Sequence, residues 1–132
     1  MILPMQIKFW WGTKFGELAP DCDSDIHNRD GVSVLCSLLT DSGGGHYLDA
    51  VPWLEEGLRL IEAVRRDTEK EADWARDAWG ALLTRDQATI YSLYQEDYAM
   101  KMSLDAFEKA LRAWFDFVQS PPDAKVFKTI EV

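Results

Sequence analysis

Residues 5–11, Met-Gln-Ile-Lys-Phe-Trp-Trp, alternate apolar with polar side chains before turning aromatic, and that period of two predicts an opening strand. Trp10 and Trp11 are neighbours, so a strand would send them to opposite faces. Gly12 and Gly16 punctuate the chain after it. Residues 20–31, Pro-Asp-Cys-Asp-Ser-Asp-Ile-His-Asn-Arg-Asp-Gly, are rich in Asp and Asn, close on glycine, and are expected to form a loop. Residues 32–39, Val-Ser-Val-Leu-Cys-Ser-Leu-Leu, form an apolar run too short for periodicity to separate strand from helix. The β-branched valines and the abrupt Gly43-Gly44-Gly45 stop lean it towards a buried strand.

A period of 3.6 takes over from about Asp49 to Lys70. Trp53, Leu54, Leu58, Leu60, Ile61 and Val64 make an apolar stripe opposite Glu55, Glu56, Arg59, Glu62 and Arg66, with Pro52 tolerable in the first turn. Residues 67–77 are mostly charged around a single large apolar side chain, Trp74. From Trp79 to Met102 the pattern reads as a β-meander. Its strands are Ala78 to Leu83, Ala88 to Tyr94 and Tyr98 to Met102, separated by the polar turns 84–87 and 95–97. A last helix comes next, with Ser103 as N-cap and Asp105 in its first turn. Leu104, Phe107, Leu111, Trp114, Phe115 and Val118 share one face, and Asp105–Lys109 and Glu108–Arg112 are i,i+4 pairs on the other. Pro121-Pro122 ends it, leaving Lys125 to Val132 as an edge strand or frayed tail. The expected architecture is a single α+β domain over residues 1–132: a mostly antiparallel sheet with a C-terminal β-meander, covered by two long helices.

Length and composition agree with one globular unit. The chain has 132 residues, 47% hydrophobic, and its six Trp, six Phe and four Tyr supply core bulk without staples. The opening residues from Met1 to Lys8 lack the basic and apolar regions of a secretory signal, and no apolar run reaches the ~18–20 residues that span a bilayer, so a cytoplasmic protein is expected. In that reducing compartment Cys22 and Cys36, the only cysteines, are expected as free thiols, with Cys36 a small core residue.

Charge narrows the partners. Asp and Glu number 23 against 14 Lys and Arg, a net charge of −9. That field repels nucleic acid and anionic membranes and favours a basic protein partner. The negative balance belongs to the first hundred residues. Glu69, Glu71, Asp73 and Asp77 surround Trp74, with Glu96 and Asp97 on a turn further along, and an aromatic anchor among carboxylates is a candidate contact for a basic partner. The alternative places Trp74 inward and leaves the acids as a solvated face.

Catalytic and metal signatures are weak. Asp21-Cys22-Asp23-Ser24-Asp25 alternates carboxylates as a calcium loop does, but Ile26 and Val32 stand where that loop needs Gly and Glu. His27 and Cys22 lack the spacing of a preformed transition-metal site. Ser42-Gly43-Gly44-Gly45-His46 has no Walker lysine, and no nucleophile elbow accompanies His46. Carboxylates beside Cys22 raise a thiol's pKa and blunt it as a nucleophile. No enzyme activity, metal or cofactor is expected.

The stretches Ile7-Lys8-Phe9-Trp10-Trp11-Gly12, Trp74-Ala75-Arg76-Asp77-Ala78-Trp79-Gly80-Ala81, Thr89 to Tyr94 and Phe107 to Phe117 with Trp114 together resemble the small immunity proteins of bacterial polymorphic toxin systems, such as those of contact-dependent growth inhibition. The resemblance implies tight binding of a cognate toxin domain and occlusion of its active site, with no catalysis. Many such toxins are nucleases, whose basic sites an acidic inhibitor can engage by imitating phosphates. Two other readings stay open: a small scaffold or regulatory protein with a non-toxin partner, and a small-ligand or metal-binding domain using loop 21–30 and His46.

Overall fold

In the computed structural model, which describes residues 4–132, the chain opens with the expected strand, β1 (Gln6–Lys14). Met1 to Leu3 of the opening segment lie outside the described residues. A two-residue turn at Phe15-Gly16 reverses the chain into β2 (Glu17–Ser24). Both turn residues have positive φ, +52° and +80°, as a type I′ hairpin requires. Gly16 adopts this freely, whereas Phe15 is an uncommon residue there.

β2 corrects the loop expected over 20–31: residues 20–24 are strand, and the loop begins only after Ser24. Asp21, Asp23 and Asp25 are exposed while Cys22 and Ser24 point inward, so the alternation is genuine but its inner positions are not aliphatic. The lean of residues 32–39 towards strand is also corrected. They form α1 (Val34–Leu39), started by Ser33, whose Oγ accepts the Cys36 N–H at 3.3 Å.

A single 3₁₀ turn (Tyr47–Ala50) leads into α2 (Val51–Arg65), with Pro52 in its first turn. The helix stops short of Lys70. Asp67 takes φ +60°, and the Thr68 and Glu69 N–H groups turn back to the Ala63 carbonyl. The charged stretch beyond it contains β3 (Glu71–Ala75), in which Ala72 and Trp74 point inward and Glu71, Asp73 and Ala75 outward. Then come β4 (Trp79–Thr84), β5 (Gln87–Ser92), β6 (Ala99–Ser103), α3 (Leu104–Val118) and β7 (Phe127–Glu131). Ser103 caps α3 by accepting the Ala106 N–H, as expected. Of the two i,i+4 pairs, Glu108–Arg112 is present at 3.7 Å, but Asp105 turns to Arg65 of α2 and Lys109 donates to the Glu131 carbonyl.

Among the described residues the class is α+β with every strand pairing antiparallel, yet there are two sheets, not one: β2-β1-β7 and β3-β4-β5-β6. The meander is the second sheet. It begins at β3 and is central in the chain, because the C-terminal strand β7 returns across the whole sequence to pair with β1. One hydrophobic cluster serves both sheets. α3 joins them: Trp114 and Phe117 pack on Phe9 of β1 at 5.3 and 5.5 Å, while Phe107 meets Trp74 of β3 at 6.2 Å. Trp11 is buried and Trp10 half-buried, on opposite faces as expected.

The cysteines depart from expectation. Cys22 of β2 and Cys36 of α1 are paired as a disulfide with their Cα atoms 5.5 Å apart, within the range a disulfide needs. Two segments read as separate loop and strand pack face to face, and their only inward sulfurs meet.

Candidate protein-binding site

In an antiparallel meander alternate turns share one end. The β3–β4 turn (residues 76–78) and the β5–β6 turn (residues 93–98) therefore lie side by side, an adjacency fixed by the Leu93 N–H bond to the Ala78 carbonyl at 2.9 Å. Aromatic side chains gather there. Tyr91 lies across Gly80, where a Cβ would come within 2.8 Å of its ring, and donates its hydroxyl to Asp73 at 2.5 Å. Tyr94 is 76% exposed, with its hydroxyl 3.3 Å from the Asp77 carbonyl, and Leu93 beside it is also exposed. Tyr98 stacks on Trp79 and donates to Asp30 at 2.6 Å. Arg29, next to Asp30, pairs with Asp97 at 2.5 Å. The loop after β2 is thus tied to this end of the meander.

The surface is an exposed apolar and aromatic patch, Leu93 and Tyr94, rimmed by Asp30, Asp73, Asp77, Glu96 and Asp97. Two guanidiniums, Arg29 and Arg76, oppose these five carboxylates, and Arg76 is turned away onto the Trp53 ring, 5.7 Å from its centroid. Burial, then the hydrogen bond and charge of Asp73, push the Tyr91 hydroxyl up to about 12. The hydrogen bond to Asp30 likewise raises Tyr98, with burial contributing less. Both phenols stay protonated donors at neutral pH.

The seven residues singled out from sequence do not form one patch. Asp77, Glu96 and Asp97 come together at the turn end, and Asp73 sits one row inward. Glu71 starts β3 at the opposite end, and Glu69 precedes it there, close enough to Arg59 to raise the guanidinium's pKa along with its main partner Glu56. Trp74 is withdrawn from the surface and corrects the expected anchor. It is 3% exposed, stacks on Trp53 at 4.0 Å, donates its indole N–H to the Trp53 carbonyl at 2.8 Å, and fills the space left by Gly57, where a Cβ would lie 2.6 Å from the ring. Sequence reasoning missed Asp30, Tyr91, Leu93, Tyr94 and Tyr98. The available signal was three tyrosines around the acidic turn Gln95-Glu96-Asp97.

The alternating aspartates have another occupation. Asp21 Oδ1 accepts the Cys22 N–H at 2.8 Å, Asp23 Oδ1 accepts the Ser24 N–H at 2.9 Å, and Asp25 Oδ1 accepts the Gln6 N–H at 3.0 Å. His27 lies 2.9 Å from Asp23. These carboxylates serve backbone donors, and among the described residues no group of three His, Cys, Asp or Glu side chains is arranged to hold a metal. His46 accepts the Leu48 N–H at 3.2 Å and stacks on Tyr47, so it begins the 3₁₀ turn. Both rings line a groove of about 730 Å3 between the β1–β2 hairpin and the triglycine loop, floored by Leu18, Leu39, Trp114 and Val118. No helix is long and apolar enough to cross a membrane among the described residues.

Comparison with known protein families, curated proteins and solved structures found no match to this chain.

Proposed function

We propose that this chain is an acidic protein-binding module that neutralises a basic toxin domain by tight binding and occlusion of its active site, in the manner of the immunity proteins it resembles. The observation that carries the reading is the turn end of the meander, where exposed Leu93 and Tyr94 stand inside a ring of carboxylates. An amphipathic ring with an apolar neighbour is the composition of an interface anchor, and surrounding acids speed and orient the encounter with a basic surface. A nuclease is one fitting target class, since a site that holds phosphates is basic. In this reading the chain performs no catalysis and holds no cofactor.

The test is affinity capture from the source cells at low salt, followed by salt elution and mass spectrometry. A basic protein with a toxin-like C-terminal domain, recovered near one to one, is the expected result. Reversing Asp77, Glu96 and Asp97 to Lys weakens that complex on the order of a hundredfold while folding is retained, because like charges then face each other. Affinity unchanged by the reversal removes this surface from the proposal. The groove beside His46 favours a second reading, a small-ligand domain, and its volume lies in the range of ligand sites. That reading expects a small molecule to co-purify and Trp114 fluorescence to change when it is stripped.

A further inference from the structure

Among the described residues the three-stranded sheet has two free edges, and the chain treats them differently. In antiparallel pairing, alternate residues of a strand turn both backbone groups towards a given neighbour. Met5 and Val132 exchange both bonds, so the odd residues of β1 face β7 and the even residues face β2. The register then directs Leu18, Pro20, Cys22 and Ser24 of β2, and Phe127, Thr129 and Glu131 of β7, outward to the free edges. On β2, Pro20 has no N–H, and the Cys22 and Ser24 donors are taken by Asp21 and Asp23. Three of the four outward positions on that edge thereby offer no donor to a further strand. On β7 no proline or side-chain cap covers an outward N–H among the described residues, and the one outward carbonyl engaged is that of Glu131, by Lys109 at 2.5 Å. Phe127 is 66% exposed and Val126 before it 44%.

We propose that β7 is a dimerisation strand, and that its occupant is β7 of a second copy paired antiparallel about Thr129. The strand is complementary to itself in that one arrangement. Centring on Thr129 makes every outward residue meet an outward residue: Thr129 opposite Thr129, Phe127 opposite Glu131. Donors and acceptors coincide without a slip. No like charges stand opposite each other, since Lys128 faces Ile130, whereas a parallel pairing would oppose Glu131 to Glu131. The contact is isologous, so it closes at two copies. The capped β2 edges become the outer edges of a six-stranded sheet and disfavour its growth.

Light scattering after size exclusion over a concentration series tests this. The expected result is a rise from 15.1 kDa towards twice that mass. Thr129→Pro removes one outward donor at a position whose nitrogen faces the free edge, as Pro20 does on β2, so the fold is retained. The dimer should weaken about tenfold or more. Amide exchange gives a second readout that needs no variant: the Phe127, Thr129 and Glu131 amides gain protection as concentration rises. A mass of 15.1 kDa at every concentration overturns the proposal, as does a dimer that Thr129→Pro leaves intact or one without protection of those three amides.

Discussion

Tyr91 shows how one side chain ties local packing to the candidate surface. Gly80 leaves room for the ring, Asp73 takes the hydroxyl, and the phenol's pKa is pushed up to about 12. A tyrosine in the unfolded chain ionises near 10, so the stabilisation from this contact is complete below pH 10 and is lost as pH rises from there through about 12. Unfolding measured between about pH 9 and 12 should show that loss in the natural chain and a flatter profile in Tyr91→Phe. Equal profiles would mean that the hydroxyl bond carries no pH-dependent stability. Trp74 teaches the opposite lesson at this scale. Its acidic neighbours in sequence suggest exposure, but in a strand those neighbours point the other way, and burial of the indole against Gly57 decides its role.

At the scale of elements, legibility depended on the contrast between faces. α3 reads clearly because its buried face is apolar throughout and, Ala110 apart, large, and its N-cap is a serine. β4 and β5 read clearly because the meander turns are local. β2 and β3 are edge strands with charged outer positions, and β2 carries Cys22 and Ser24 inward where aliphatics would announce a strand. Their composition therefore imitates a loop. Of the aspartates that suggested a cation site, Asp21 and Asp23 cap outward N–H groups on the edge of β2, and Asp25 takes the Gln6 N–H of β1. Replacing both Asp21 and Asp23 by Ala frees the Cys22 and Ser24 N–H groups, and light scattering should then report masses growing beyond those of the natural chain. A double variant with the natural chain's mass at every concentration would deny them that duty.

At the scale of the molecule, the disulfide between Cys22 and Cys36 holds the first sheet to α1 and closes the loop whose Arg29 and Asp30 reach Asp97 and Tyr98. Closing a loop of this length is worth about 3 kcal/mol of unfolding free energy, chiefly by restricting the unfolded chain. Urea unfolding of the oxidised and reduced protein should differ by about that amount. Equal midpoints would show that packing alone positions α1 on β2. The sulfurs are both buried, so loss of the bond is expected to loosen residues 25–33 before the sheet they flank.

The sequence by itself determined the α+β class, the two long amphipathic helices, the opening strand, most of the meander and the negative field. Each of these rests on a local period or a sum over composition. Only the tertiary structure decided that there are two sheets, that β7 pairs with β1 from the far end of the chain, and that the two cysteines meet. It also split the acids around Trp74 between two ends of a sheet while bringing Asp30 to Asp97 and Tyr98. These are contacts between residues distant in sequence, and they depend on which apolar faces can be buried together, a choice that no local period records.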